Sequence, residues 1–283
     1  MKKSFVFTIL FLIATQLVAV FVAPSFRELG FSAFEDPDAS INVLLLFLMF
    51  PIALFVMVLL MRRNRKNTIN ALLFFAIFIA MVSTFYVLLE PIGAALSLSI
   101  AFFASLLLLY LMIKKKSWVM ADLCGFILAV GITAMLGISL TPVLMLVLLI
   151  ALAAYDFVTV YVTKHMVSMA EGVIDLSLPV ILVFPENRDF RIENRNRDKD
   201  GDGDHESEPS AFFLGLGDIV LPSSYVVSLS IFLDTGIALF AATGTVVGVI
   251  ALLIATTKTR ANAGLPFLCS FAIVFSLIGA MIL

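Results

Sequence analysis

Nine long apolar stretches run through this sequence, and each is long enough to cross a lipid bilayer as a helix. A helix needs about 20 apolar residues to span the hydrocarbon core. Of the 283 residues, 62% are hydrophobic and 13% are charged, a composition that soluble domains do not have. The sequence therefore predicts an all-α polytopic membrane protein with nine transmembrane helices. The predicted spans are residues 4–22, 41–61, 69–89, 92–113, 119–140, 142–162, 211–233, 236–256 and 264–283.

The first apolar stretch follows Lys2 and Lys3, a pattern that signal peptides and membrane anchors share. The apolar region of a signal peptide usually has only about 7–15 residues. Because this stretch is longer, we expect it to be retained as the first transmembrane helix.

One long connection separates the sixth span from the seventh and divides the chain into three predicted parts. Residues 1–163 form an N-terminal bundle with helices 1–6, and residues 211–283 form a C-terminal bundle with helices 7–9. Residues 164–210 form an amphiphilic and disordered cytoplasmic loop between them.

Within this loop, the apolar run 179–184 is too short to span a membrane and is bounded by prolines. Its β-forming residues predict a strand that follows an interfacial helix. Residues 186–210 are dense in charged residues, Asn and Gly. Such a segment has too few apolar side chains to bury, which predicts disorder.

The basic residues lie almost entirely on one side of the predicted helices, and short cytoplasmic loops are enriched in Lys and Arg. When alternate connections are assigned to opposite sides, only Arg27 falls on the other side, in a loop that is otherwise acidic. The pattern predicts a multi-pass membrane protein with a cytoplasmic N-terminus and an external C-terminus. The basic residues on the predicted cytoplasmic side are Lys2, Lys3, Arg62, Arg63, Arg65, Lys66, Lys114, Lys115, Lys116, Lys164, those of the cluster 188–199, Lys258 and Arg260.

Two aspartates lie inside predicted spans, where an ionisable side chain is expensive and therefore suggests a function. Asp156 follows Tyr155 in the sixth span, and Asp218 closes the motif Gly215-Leu216-Gly217-Asp218 in the seventh. At about 1.5 Å of rise per helical residue, both lie roughly 10–12 Å from the cytoplasmic face. Because the two spans are antiparallel, equal depth predicts that the carboxylates face each other. The small residues Gly215 and Gly217 would let another backbone approach Asp218 closely.

The chemistry available inside the membrane is limited to carboxylates. The two histidines, His165 and His205, lie outside the apolar spans, and neither a His-Glu-x-x-His nor a Gly-x-Ser-x-Gly motif occurs. A zinc or serine mechanism therefore lacks its usual residues, and we expect no metal and no cofactor. Two facing carboxylates in a low-dielectric site share one proton, so one can deprotonate water while the other polarises a peptide carbonyl.

Buried carboxylates also serve proton-coupled transporters and cation channels, which is the alternative function for this pair. Transporters often contain two related halves with paired broken helices, and the sequence shows no comparable repeat. Prepilin peptidases use Gly-x-Gly-Asp as well, but they usually continue with a lysine where this chain has Val220.

The order of these features resembles the Gly-x-Gly-Asp intramembrane aspartyl proteases, which comprise presenilins and signal peptide peptidases, and in particular their compact archaeal homologues. The nine spans, Tyr155-Asp156, the motif at 215–218 and the long hydrophilic loop follow in the same order over nearly the whole chain. The resemblance implies a presenilin-like fold, an archaeal cell membrane as the location, and Asp156 and Asp218 as the catalytic pair. Tyr155, Gly215, Leu216 and Gly217 are then expected to support the active site.

The third motif of that family, Pro-Ala-Leu often followed by proline, begins the ninth helix beside the dyad. The equivalent segment here is Ala263-Gly264-Leu265-Pro266, in which Leu265 and Pro266 match and the two preceding residues depart. By resemblance, Gly264, Leu265 and Pro266 are expected to support the active site. The departure at Gly264 keeps a small residue at the position.

The cytoplasmic N-terminus is similar to the polarity of presenilins, whereas signal peptide peptidases are inverted. The implied partners are the lipid bilayer and transmembrane-helix substrates with an external N-terminus, and no nucleic acid; the sequence makes no prediction of oligomeric state. A substrate helix must unwind to expose its scissile amide, and unwound backbone needs hydrogen-bond partners. The run 179–184 and the residues just before Gly215 are expected to supply strand edges for it.

Overall fold

The architecture is a helical bundle with one two-stranded sheet. The structure is a computed structural model, and it describes residues 2–62, 66–115, 117–159, 181–185, 211–256 and 264–283. Nine α-helices and two β-strands occur within these ranges, which confirms the predicted nine-helix membrane fold. The helices are α1 Lys2–Glu28, α2 Ile41–Arg62, α3 Lys66–Leu89, α4 Ala94–Lys115, α5 Trp118–Ser139, α6 Pro142–Val158, α7 Leu216–Phe232, α8 Thr235–Thr256 and α9 Gly264–Ile282. The strands are β1 Ile181–Pro185 and β2 Ala211–Gly215.

Six described helices, α1, α3, α4, α5, α8 and α9, have the length and hydropathy of a membrane span. The helices α6 and α7, which carry the two aspartates, are apolar but have only 17 residues each. The predicted helical span 211–233 is therefore wrong at its start, because residues 211–215 form a strand instead. The predicted end of the sixth span at residue 162 lies outside the described residues.

The break between α3 and α4 depends on a glycine. Residues Glu90–Ile92 form one turn of 3₁₀-helix after α3, and Gly93 follows with φ = 111°. A residue with a Cβ atom rarely adopts this backbone conformation. The fourth helix consequently begins at Ala94, two residues later than the sequence predicts.

The two strands pair antiparallel, with Ile181 opposite Gly215 and Pro185 opposite Ala211. Leu182 and Leu214 face each other across this pair and are 0% and 4% exposed, in one apolar cluster with residues of α1, α5 and α7. The predicted strand at 179–184 is confirmed from residue 181 onwards. The remaining loop predictions, an interfacial helix from residue 166 and disorder at 186–210, lie outside the described residues.

Three helices, α1, α5 and α7, run in the same direction and pack against one another. Near their beginnings, the rings of Phe11 and Phe126 lie 5.6 Å apart. Further along, Ala19, Val130 and Val227 belong to one buried cluster. The helix that carries Asp218 therefore packs against two parallel neighbours, α1 and α5.

Candidate active site

Asp156 lies in the last turn of α6 and is only 7% exposed. Its carboxylate accepts a hydrogen bond from the backbone N–H of Leu265, in the first turn of α9. The other oxygen, Oδ2, is buried and has no hydrogen-bond partner among the described residues. One oxygen is thus held by the backbone of a neighbouring helix, while the second makes no hydrogen bond to the described residues.

Asp218 lies in the first turn of α7, three residues after the helix N-cap Gly215. Its carboxylate accepts a hydrogen bond from the backbone N–H of Gly215. An acidic side chain at the third helical position that binds the N-cap amide is one half of a capping box, and the helix N-terminus favours negative charge. The local sequence Gly-x-x-Asp therefore fixes the carboxylate at the start of the helix. The predicted depth of Asp218 assumed seven helical residues before it, and that count is wrong because β2 replaces five of them.

The structure brings the two carboxylates together. Asp156 and Asp218 are close enough to interact electrostatically, as the antiparallel arrangement of their helices predicts. The helices α6 and α7 pack against each other and both pack against α9. The buried thiol of Cys269 in α9 also lies near both carboxylates.

The beginning of α9 lies directly against this pair. If Gly264 carried a Cβ atom, that atom would be 2.6 Å from Oδ2 and 2.9 Å from Cγ of Asp218. Leu265 follows with the amide that binds Asp156, and Pro266 occupies the first helical turn, where a missing N–H is tolerated. The segment that departs from the resembling motif is therefore in contact with one carboxylate and bonded to the other.

The other residues predicted to support the active site differ from one another in burial and in their distance from Asp218. Leu216 is buried in the apolar core, and a Cβ atom on Gly215 would lie 3.4 Å from Oδ2 of Asp218. A Cβ atom on Gly217 would meet no atom of the described residues within 4 Å. The side chain of Tyr155 is 40% exposed. Its supporting role stays a prediction.

Two features near the site were missed from the sequence. Cys269 lies four residues after Leu265 in α9. Residues four apart share one face of a helix, so this spacing could have placed the Cys269 thiol beside the active site. Pro222 lies inside α7, four residues after Asp218. Because proline has no N–H, it cannot donate the helical hydrogen bond to the carbonyl oxygen of Asp218.

Comparison with known proteins identifies the family. The sequence profile described as signal-peptide peptidase, presenilin aspartyl protease matches residues 8–283. The chain belongs to this family. No curated protein sequence gives a match.

Two solved structures support the family membership. One is a presenilin family intramembrane aspartate protease in the C222 space group, with 26% identity, a TM-score of 0.75 and coverage of 99% of both chains. The other is a presenilin family intramembrane aspartate protease in the P2 space group, with 28% identity and a TM-score of 0.72. It covers 97% of this chain and 96% of its own. The structural similarity therefore extends over nearly the whole length of the chain.

Proposed function

We propose that this protein is an intramembrane aspartyl endopeptidase, and that Asp156 and Asp218 are its acid and base. The observation that carries the proposal is the convergence of both carboxylates on the first turn of α9, within membrane helices. Family membership supports the activity, since the profile describes aspartyl proteases. No feature of the described residues favours a transporter or channel over this reading.

The reaction begins with one shared proton on the pair. The ionised carboxylate takes a proton from a water molecule, and the water oxygen forms a bond to the peptide carbonyl carbon. The protonated carboxyl group polarises the carbonyl oxygen. The C–N bond then breaks, and the leaving amine takes a proton from the pair, which restores its starting state.

The backbone amides that hold the pair give it a fixed geometry. The N–H of Leu265 orients Asp156 and the N–H of Gly215 orients Asp218, so neither carboxylate depends on a mobile side chain. Fixed dipoles aimed at reacting groups need no rearrangement during the reaction. The buried Oδ2 of Asp156 is the atom that we assign to the water or the substrate carbonyl.

The substrates that we propose are transmembrane helices that unwind beside β2. This strand leads directly from Ala211 into Gly215 and the helix turn of Asp218. In a two-stranded sheet, each strand forms hydrogen bonds to its partner along one edge only. The backbone groups of the other edge can bind an added strand. Among the described residues nothing lies within 4 Å of a Cβ atom on Gly217, which would leave room for an extended backbone next to the Asp218 turn. A location in an archaeal cell membrane remains part of this proposal, on the resemblance to the compact archaeal homologues. A cytoplasmic N-terminus and an external C-terminus also remain part of it, on the distribution of basic residues.

The proposed activity is tested with purified protein in liposomes and a single-span peptide as substrate. Mass spectrometry should find product termini within the apolar segment of the peptide. An ion-flux assay on the same liposomes tests the alternative function, a proton-coupled transporter or cation channel. Flux that requires Asp156 and Asp218, without peptide cleavage, would replace the protease proposal by a transporter or channel.

A further inference from the structure

Many serine and threonine hydroxyls in or next to the described helices donate to a backbone carbonyl three or four residues earlier in the chain. This is the usual way for a hydroxyl in a membrane helix to satisfy its donor. The residues that do so include Thr8, Ser83, Thr84, Ser97, Ser99, Ser139, Thr159, Ser224, Thr243, Thr245, Thr256 and Ser276.

Three hydroxyls on the parallel helices α1, α5 and α7 depart from this pattern. Thr15, Thr133 and Ser223 are each 0% exposed, and their hydroxyl oxygens have no hydrogen-bond partner among the described residues. A buried hydroxyl without a partner costs about 1–3 kcal/mol. Each of these hydroxyls therefore has hydrogen-bonding capacity that the described residues do not use.

Thr133 and Ser223 lie at the same level of the interface between α5 and α7. One turn further along, a Cβ atom on Gly137 would be 2.5 Å from Cβ of Val227, so these two positions are in direct contact. Thr133 precedes Gly137 by four residues, and Ser223 precedes Val227 by four. In parallel helices, positions four residues back from a contact lie on the same faces, one turn away.

Thr15 reaches the same level from α1. It precedes Ala19 by four residues, and Ala19 shares a buried cluster with Val227 and with residues of α5. It also follows Phe11 by four residues, and the Phe11 ring contacts the ring of Phe126. The three hydroxyls thus lie within about one helical turn of each other, on faces that meet between the three helices.

We propose that Thr15, Thr133 and Ser223 form a binding site for a buried water molecule inside the membrane bundle. A water can donate and accept two to four hydrogen bonds at once, which matches three hydroxyls that each donate and accept. A cation does not suit the site, because the three hydroxyls are neutral and a charge in the low-dielectric bundle needs an opposite charge. Ser223 lies five residues after Asp218, about 7.5 Å along α7. The water would link the Asp218 helix to two neighbours, and the site does not depend on the proposed activity.

The first test measures whether removal of a hydroxyl lowers or raises Tm. In the purified full-length protein in detergent, Thr133→Val and Thr15→Val remove a hydroxyl and keep the side-chain shape. If each hydroxyl binds the shared water, each substitution should lower Tm by about 2–4 °C. If the hydroxyls have no partner, the same substitutions should raise Tm, because an unsatisfied polar group is removed, and the proposal fails. Thr243→Val is the matched control, because Thr243 is exposed and its hydroxyl donates to the backbone carbonyl of Phe240.

The second test works on the unmodified protein and covers variants that fail to fold. A high-resolution experimental structure should show one density peak within hydrogen-bond distance of Oγ1 of Thr15, Oγ1 of Thr133 and Oγ of Ser223. Rotated side chains that bond directly to one another or to carbonyls of their own helices, with no peak between them, would overturn the proposal.

Discussion

The Oδ2 atom of Asp218 lies 2.6 Å from the position that a Cβ atom on Gly264 would occupy. Real Cβ atoms do not approach an oxygen this closely, so a methyl group at this position must displace the carboxylate. Gly264 is therefore the residue that fits this chain to its own carboxylate geometry.

We expect Gly264→Ala to lower kcat by about 10-fold to 100-fold, because displacement of a catalytic group by about 1 Å has effects of this size. The KM for a single-span peptide should change much less, since the substituted position contacts Asp218. Steady-state cleavage kinetics in detergent measure both constants. An unchanged kcat would show that the carboxylate moves without functional consequence, against the proposed geometry.

Gly244 is a second glycine in contact with a neighbouring helix, and its substitution should affect stability more than substitution of Gly264. A Cβ atom on Gly244 in α8 would collide with the backbone oxygen of Phe271 and would lie 2.8 Å from Cβ of Phe275 in α9. Because backbone atoms cannot rotate away, Gly244→Ala should push the two helices apart at a cost of about 1–3 kcal/mol. Thermal unfolding should show a lower Tm for Gly244→Ala and little change for Gly264→Ala. A Tm for Gly244→Ala equal to that of the parent would contradict this close packing.

The hydrogen bond from Leu265 to Asp156 can be removed without changing either carboxylate. Leu265→Pro deletes the backbone N–H, and proline is tolerated in the first turn of a helix. A hydrogen bond to a charged group contributes about 1.5–3 kcal/mol, so kcat should fall about 10-fold or more. Leu265→Ala is the control, because it removes the side chain and keeps the amide. Equal rates for the two variants would mean that the amide does not orient Asp156.

The strand pair can be tested at Leu182, which lies opposite Leu214. Leu182→Pro removes a backbone donor from β1 and disfavours the strand, so we expect most peptide cleavage to be lost. Leu182→Ala keeps the backbone and removes only the buried side chain, and it should retain more activity than the proline variant. Cleavage rates of folded protein, checked by thermal unfolding, compare the two. Full activity in Leu182→Pro would reject a role of this sheet in substrate binding.

The hydropathy of the sequence was sufficient for the nine-helix fold, and the positions of Asp156 and Asp218 on antiparallel helices were sufficient to pair them. The start of the seventh helix was not predictable from hydropathy, because Ala211-Phe212-Phe213-Leu214 is as apolar as the helix that follows. Only pairing with β1, which lies about 30 residues earlier in the chain, makes this segment a strand.

Of the two backbone contacts of the carboxylates, one could be predicted from the sequence and the other could not. The bond between Gly215 and Asp218 is local, and the spacing of an N-cap and a third helical position could have indicated it. The bond from Leu265 to Asp156 joins helices that are distant in the sequence, so it depends on how α6 and α9 pack. Spacing along the chain carries no signal for such a contact.

The most direct test of the dyad is peptide cleavage by Asp156→Asn and Asp218→Asn, which keep the side-chain shape but remove the acid and base. Asp234→Asn is the matched control, because Asp234 lies beyond the far end of α7, directly before α8, where its Oδ1 accepts the N–H of Gly236. Rates are measured with a single-span peptide in liposomes, at equal amounts of folded protein. We predict no detectable cleavage in either dyad variant and a rate close to that of the parent in the control. Cleavage by folded Asp156→Asn or Asp218→Asn at the parental rate would contradict the two-aspartate mechanism.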